Sequence, residues 1–266
     1  MDFIKLRQIE DEVERVQALY TLFNEDARLN HSKAARVEFI TTVKYVEQHL
    51  KHGSKILDIG AGAGEYSLHF AKSGYAVTAV ELAEENIKAF RKKITDDMNI
   101  LLQQGNACDL SDFADNTYDV VLLLGPLYHI LDQTDRDKCI QEARRVCKKD
   151  GVIFFAYISN DMVILSEAFS YDINYFKGDS YNHETFAVEN FPFVFFTVGD
   201  ARKELVRNGV PIIKEIAVDG VSELLADKIN KLDDESYAQY LRYHLYCCEK
   251  PEMLGRSNHL LFVGKN

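Results

Sequence analysis

Hydrophobic positions along this chain predict two N-terminal helices, followed by short apolar strands that alternate with helices. Apolar residues recur at near-helical spacing over residues 1–23 and again over about 33–50. Seven apolar segments then read as strands: KILDIG, YAVTAVEL, NILLQQGNA, YDVVLLLG, VIFFAYI, PIIKEIAVDG and HLLFVGK. The helices predicted between them are 64–73, AEENIKAFRKKI, 133–148, 199–209, 221–231 and 234–249.

This alternation is typical of parallel βαβ units, whose sheet is covered by helices on both faces. We therefore predict an α/β fold with a doubly wound, mostly parallel, seven-stranded sheet. The chain divides into an N-terminal helical cap over 1–52, a core over 53–158, an insertion over 159–198 and a C-terminal part of the core sheet over 199–266.

The insertion contains ten aromatic side chains, too many for a disordered linker, and is predicted to be ordered. They are Phe169, Tyr171, Tyr175, Phe176, Tyr181, Phe186, Phe191, Phe193, Phe195 and Phe196. Because the insertion follows the fifth strand, it is expected to start near the carboxyl edge of the sheet.

Composition narrows the possible functions. The formal net charge of −11 over 266 residues disfavours binding to nucleic acid or to anionic lipid. No apolar run approaches the roughly 20 residues of a membrane span, and the N-terminus lacks a signal-peptide core, so a cytoplasmic protein is expected. The five cysteines lack metal-ligand spacing, and Asn160-Asp161 is an incomplete set for a hard cation, so no metal site is predicted.

The segment KILDIGAGAGEY joins the first strand to a helix through Gly60, Gly62 and Gly64. Its glycine spacing does not match the dinucleotide pattern G-x-G-x-x-G, and it lacks the lysine of a P-loop. The carboxylates of Asp58 and Glu65 bracket the loop and would repel a pyrophosphate. The loop therefore favours a ligand with a cationic end and no phosphate.

Glu81 ends the second strand, about 20 residues after the glycines, where a carboxylate can accept both ribose hydroxyls. S-adenosylmethionine fits this description, since it has an adenosine, a sulfonium and an amino-acid tail but no phosphate.

Four motifs in order resemble the class I S-adenosylmethionine-dependent methyltransferases: DIGAGAG over 58–64, Glu81, Gly105-Asn106-Ala107, and YDVVLLLGPLYHI. The resemblance covers about residues 40–158 and the last strand, and the LLLGPLYH stretch is similar to a small bacterial family of unestablished substrate. The resemblance to the class I enzymes implies a Rossmann-like methyltransferase fold, S-adenosylmethionine as cofactor and methyl transfer as the activity.

The resemblance assigns the methionine end of the cofactor to Asp58, Gly60, Ala61, Gly62, Tyr66, Leu124 and Gly125. In this assignment Asp58 anchors the loop and the ligand's amino group. The adenosine end falls to Glu81 at the ribose, Leu82 on the adenine, and Asn106 at the adenine amino group with Ala107 beside it. The alternative is that Asp58 and Asn106 only cap local turns, and that Glu81 is a solvated acid.

His129 follows the fourth strand and is expected near the methyl group, so it belongs to the predicted cofactor site and is the candidate general base. The alternative is that His129 only packs against the rim of the ligand or hydrogen-bonds to it. Tyr128 and Tyr157 are weaker candidates for orienting a nucleophile, and the favoured alternative for each is packing in the core.

The insertion and the N-terminal helices are predicted to form a lid over a small-molecule acceptor, with neither nucleic acid nor a membrane as partner. In the alternative, the aromatic side chains form the insertion's own small core. Two rival functions remain, namely an RNA or protein methyltransferase and a non-catalytic partner protein that binds S-adenosylmethionine. The sequence does not indicate an oligomeric state.

Overall fold

The structure is a computed structural model that describes residues 3–22 and 25–266. Within this part of the chain a single sheet has the strand order β3-β2-β1-β4-β5-β8-β7, and a short β6 pairs with β5. The strands are β1 (Lys55–Ile59), β2 (Ala76–Glu81), β3 (Ile100–Gln104), β4 (Tyr118–Leu123), β5 (Cys147–Ser159), β6 (Phe195–Phe196), β7 (Ile212–Ala217) and β8 (His259–Lys265). The predicted α/β fold with a mostly parallel sheet is confirmed.

Strands β1 to β6 pair in parallel, whereas β8 is antiparallel to both β5 and β7. The central strand β1 is buried on both faces, with Ile56, Leu57 and Ile59 at 0% exposure. This burial explains why the parallel strands read as continuous apolar runs rather than as alternating ones. The carboxyl ends of the parallel strands consequently meet at one edge, where ligands bind in such folds.

Helices cover the sheet, and their bounds are α1 (Phe3–Leu6), α2 (Glu12–Leu19), α3 (Lys33–Glu47), α4 (Glu65–Lys72), α5 (Glu84–Arg91), α6 (Gln133–Val146), α7 (Asn160–Ser166), α8 (Val198–Arg207), α9 (Ala226–Ile229), α10 (Asp234–Cys247) and α11 (Pro251–Leu254). No helix in the described ranges is long and apolar enough to cross a membrane.

The single helix predicted over 1–23 is wrong, because α1 and α2 are separate. The side chain of Asp11, in an extended conformation, accepts a 2.8 Å hydrogen bond from the Glu14 amide and so starts a new helix. Residues 1, 2 and 23 of the predicted helix lie outside the described residues.

Two other boundaries differ from the prediction. The helix predicted over 133–148 ends at Val146, and β5 begins at Cys147, before the predicted VIFFAYI. Cys147 pairs with Tyr118 ahead of a register shift, so contacts across the sheet extend the strand. The helix predicted over 221–231 is α-helical only over α9.

The insertion is ordered, and its aromatic side chains lie in several environments. Phe196 is 5% exposed in the main core. Tyr181 instead stacks with Tyr175 and Phe186, at ring-centroid distances of 5.6 and 6.1 Å. Asn160 fastens the segment by donating to the Phe186 carbonyl and accepting from the Val188 amide, so its side chain serves the insertion.

Candidate active site

The glycine loop after β1 folds back against the end of β2. The amides of Gly60 and Ala61 both donate to the Val80 carbonyl, at 2.8 and 3.1 Å. Gly60 and Gly62 have φ of +72° and +56°, a left-handed conformation that favours glycine. A Cβ on Gly60 would also lie 2.7 Å from the Pro126 ring. Glycine is therefore required here by both the backbone and the packing.

Glu81 joins the glycine loop to β2. Its carboxylate is buried, with the residue 4% exposed, and accepts from the amides of Gly62 and Ala83, both at 2.8 Å, and from Asn86 at 3.3 Å. Burial raises the pKa of Glu81 although these donors oppose the shift. Since each carboxylate oxygen can accept more than one hydrogen bond, Glu81 retains capacity for ligand hydroxyls.

Asp58 lies beneath the same loop and is 2% exposed. The Ser67 hydroxyl donates to it at 2.7 Å, and burial raises the pKa of Asp58 to about 7. A buried carboxylate with this environment is short of positive charge, so a ligand ammonium group would stabilise it.

A cavity of about 520 Å³ extends from Gly60 past the carboxyl ends of β2 and β3. Val13 and Val16 of α2 line it from the N-terminal side. The side-chain oxygen of Asn106 accepts a 2.9 Å hydrogen bond from the Cys108 amide, so Asn106 caps a turn and also lines the cavity. The turn-capping alternative thus describes part of what Asn106 does.

The structure brings all the predicted cofactor residues together. The 520 Å³ cavity is lined by Gly60, Glu81, Leu82, Asn106, Ala107, Gly125 and His129. An adjoining recess is lined by Asp58, Gly60, Ala61, Gly62, Tyr66, Leu124 and Gly125. The two cavities share Gly60 and Gly125, and we call the two together the cofactor cavity because the predicted cofactor residues line it.

Tyr20, which follows α2, was missed by the sequence analysis as a site residue. It lines both parts of the cofactor cavity, and its hydroxyl lies 2.8 Å from Nε2 of His129. The sequence placed Tyr20 on the apolar face of the helix predicted over 1–23, and that position predicted only packing. Contacts between sequence-distant segments, 109 positions apart here, leave no local signal.

His129 is buried at 7% exposure, and its Nδ1 has no hydrogen-bond partner among the described residues. Burial, with a smaller contribution from the Arg28 charge, lowers the pKa of His129 to about 3. The imidazole is therefore neutral at physiological pH.

The two candidate tyrosines differ. Tyr128 donates to the Leu124 carbonyl at 2.9 Å and lines the recess beside the glycine loop. Tyr157 is fully buried and packs between Phe196 and Phe262. The interpretation of Tyr157 as an orienting hydroxyl is wrong, because its side chain belongs to the core.

A second, larger cavity of about 720 Å³ adjoins the cofactor cavity at Tyr20 and His129 and is called the outer cavity below. The N-terminal segment, α3, the insertion and the C-terminal part of the chain all contribute to its wall. From the insertion, Phe193 lines it and approaches the His129 ring, with centroids 5.1 Å apart. The insertion thus lies on the expected edge of the sheet.

A chain of charges crosses the wall of the outer cavity. Arg28 pairs with Glu25 and Glu38, each at 2.8 Å. Nδ1 of His259 lies 2.8 Å from Asp219 and 3.4 Å from Glu38. Burial opposes the imidazolium charge, but the two carboxylates outweigh it and raise the pKa of His259 to about 9.

One potential ligand atom from each of Glu38, Asp219 and His259 lies within 4.8 Å of the others, a spacing that suits a metal ion. The hydrogen bonding favours a different arrangement. Nδ1 of a protonated His259 donates to Asp219, and Arg28 already occupies Glu38. We therefore interpret the three side chains as part of an internal ion-pair chain.

Residues 57–155 match the family described as "Methyltransferase domain". A putative methyltransferase, YqeM, from Bacillus subtilis (strain 168) is 29% identical over 113 residues, 42% of this chain and 45% of its own. A glycine/sarcosine N-methyltransferase from Aphanothece halophytica is 29% identical over 150 residues, 55% of this chain and 54% of its own. A ubiquinone biosynthesis O-methyltransferase from Actinobacillus pleuropneumoniae serotype 5b (strain L20) is 28% identical over 127 residues, 44% of this chain and 52% of its own. The chain spans about half the length of these relatives.

Solved structures resemble the whole fold. A SAM-dependent methyltransferase from Methanosarcina mazei has a TM-score of 0.55 at 18% identity, over 84% of this chain and 96% of its own. One from Archaeoglobus fulgidus has a TM-score of 0.56 at 15% identity, over 86% and 94%. Residues 57–155 therefore match a methyltransferase domain, the chain has the fold of S-adenosylmethionine-dependent methyltransferases, and that fold implies S-adenosylmethionine as cofactor.

Proposed function

We propose that the protein transfers a methyl group from S-adenosylmethionine to a small molecule held in the outer cavity. The observation that carries this proposal is the meeting of the two cavities at Tyr20 and His129. A donor in one cavity and an acceptor in the other would be presented to each other across this boundary, and the surrounding segments would exclude water.

The residues present fit the cofactor. The buried Asp58, with its raised pKa, suits an ammonium group, and Glu81 has lone pairs free for ribose hydroxyls. Leu82, Asn106 and Ala107 would surround the adenine. When bound, S-adenosylmethionine supplies a methyl group already activated by a sulfonium, so the chain's main tasks are positioning and shielding.

Tyr20 and His129 would act as a positioning pair at the boundary. Burial raises the pKa of Tyr20, so its hydroxyl keeps its proton and can donate to the neutral His129. The general-base role of His129 stays a prediction from the sequence. Its pKa of about 3 favours the positioning role, because such an imidazole holds a proton poorly.

A small acceptor is supported by the size and walls of the outer cavity, about 720 Å³ between the N-terminal segment and the insertion. We propose that residues 1–52 and 159–198 act there as cap and lid. Two relatives, a ubiquinone biosynthesis O-methyltransferase and a glycine/sarcosine N-methyltransferase, also support a small-molecule acceptor.

Calorimetry with S-adenosylhomocysteine and NAD tests the cofactor site, and labelled S-adenosylmethionine with metabolite pools tests transfer. We expect S-adenosylhomocysteine to bind, NAD not to bind, and the label to be transferred to a small molecule.

Glu81→Ala should weaken the binding of S-adenosylhomocysteine by about 1.5–3 kcal/mol, as expected for lost hydrogen bonds to a charged group. The exposed Glu84→Ala is the matched control and should bind like the parent.

Tight NAD binding without a response to S-adenosylhomocysteine would refute the proposal. Cofactor binding without transfer to any pool would favour the non-catalytic partner protein, and transfer confined to RNA or protein would favour the RNA or protein methyltransferase.

Tyr20→Phe should lower turnover more than cofactor affinity, because it keeps the ring and removes the hydroxyl.

A further inference from the structure

Resting on the proposed function, we propose that the acceptor is an amine that enters the outer cavity as a cation, with Glu223 as its main charged contact. Carboxylates outnumber basic side chains in the lining of this cavity, and only some of these carboxylates have an ion-pair partner among the described residues.

The lining of the outer cavity is strongly acidic. Its carboxylates belong to Glu25, Glu38, Asp219, Glu223 and Asp227. Its basic side chains are Arg28, His31 and His259. Even if both histidines carry a full positive charge, two negative charges remain without a counter-charge. A cavity with this excess attracts a cation and repels an anion.

Two of the five carboxylates account for part of this excess. Arg28 and His259 pair with the carboxylates of the ion-pair chain, whereas Glu223 and Asp227 form no ion pair with any described residue. Glu223 accepts hydrogen bonds from the Tyr171 hydroxyl at 2.7 Å and from the Asn258 amide. These neutral donors orient the carboxylate but leave its charge uncompensated.

Three side chains of the insertion also favour a bound cation. Burial raises the pKa of Glu167, and the nearby Glu223 charge raises it further. The carboxylates of Glu167 and Glu223 therefore lie near each other. Phe169 and Tyr171 line the cavity while 61% and 67% exposed, so aromatic faces are available to a bound ammonium group.

The chemistry balances for such an acceptor. The bound ammonium first releases one proton through the cavity mouth to water, and the freed lone pair becomes the nucleophile. As the nitrogen–methyl bond forms, the methyl–sulfur bond breaks and its electron pair stays on sulfur. The methylated nitrogen is again cationic, so the same acidic wall suits substrate and product.

The test uses the full chain saturated with S-adenosylhomocysteine and three probes of similar shape: phenethylamine, 2-phenylethanol and 3-phenylpropanoate. Calorimetry should show the amine binding about tenfold tighter than either other probe, since a hydrogen bond to a charged group is worth that much. Glu223→Gln keeps an oxygen for Tyr171 and should remove the preference. Glu184→Gln, on the exposed surface of the same insertion, should leave it unchanged.

Equal binding of amine and alcohol, preference for the carboxylate, or no binding of any probe would overturn the inference. So would a preference that persists in Glu223→Gln. If that variant fails to fold, the comparison of probes in the parent still decides. Failure of S-adenosylhomocysteine to bind would instead refute the proposed function, so the two failures are distinguishable.

Discussion

Gly64 and Gly74 have almost the same φ, +87° and +88°, but different surroundings. A Cβ on Gly64 would overlap the Phe90 ring, whereas nothing lies within 4 Å of one on Gly74. Gly74→Ala should therefore lose about 1 kcal/mol for the left-handed backbone. Gly64→Ala should lose a further ~1–3 kcal/mol through overpacking. Urea unfolding of both variants measures the difference, and equal losses would show that Phe90 moves away freely.

The raised pKa of Asp58 predicts that cofactor binding depends on pH. Its pKa of about 7 in the free protein means that it is mostly protonated at pH 6 and mostly charged at pH 8. Because the charged form attracts an ammonium group, affinity for S-adenosylhomocysteine should rise about tenfold across this interval. Calorimetry at both pH values tests this in the parent and in Asp58→Asn, which should bind weakly with little pH dependence. An equally steep rise in Asp58→Asn would assign the titration to another group.

At the scale of elements, α2 covers the cofactor cavity but is weakly tied to the core. Val13 and Val16 line the cavity, while Leu19 belongs to a small apolar cluster with Leu6 and Ala18, separate from the main core. A segment with so few buried contacts opens at a lower free energy than core strands. We expect α2 amides to exchange hydrogen quickly in the free protein and slowly with S-adenosylhomocysteine bound.

Strand β4 is the internal control for this experiment, because its residues Val120–Leu123 are fully buried at 0% exposure. Its amides should exchange slowly with or without ligand. If α2 in the free protein is as protected as β4, the segment is part of the core and does not open for the ligand.

At the scale of the whole molecule, the ion-pair chain joins distant parts of the fold. Glu38 lies on α3, Asp219 follows β7 and His259 begins β8. The pKa of His259 is about 9 in the fold against 6.5 as the ordinary value, so folding favours its protonated form. This stabilisation is fully present below about pH 6.5 and disappears as the pH rises through 9.

The expected loss is about 2 kcal/mol of unfolding free energy between pH 7 and pH 9.5. Urea unfolding at the two pH values should show this loss in the parent, and a smaller one in His259→Gln, which cannot hold the proton. If the variant loses as much stability as the parent, the imidazolium does not join these elements.

The sequence by itself predicted the mostly parallel sheet, and it singled out Asp58, Glu81 and Asn106, which the fold brings to neighbouring cavities. The reason is that these signals are local. A buried parallel strand needs a continuous apolar run, and a tight turn into a helix needs glycine, so chain order places the strand ends along one edge. The break before α2 was missed because the Asp11 cap competes with an apolar periodicity that continues on both sides of it.

Only the tertiary structure decided what surrounds the methyl position. Tyr20 meets His129 across 109 positions of sequence, and Tyr157 turns out to be core. Glu223 and His259 had no pattern to mark them, because a cavity wall is assembled from segments far apart in the chain. The charge of each side chain is set by its sequence, but whether that charge is paired depends on neighbours that only folding brings within a few ångströms.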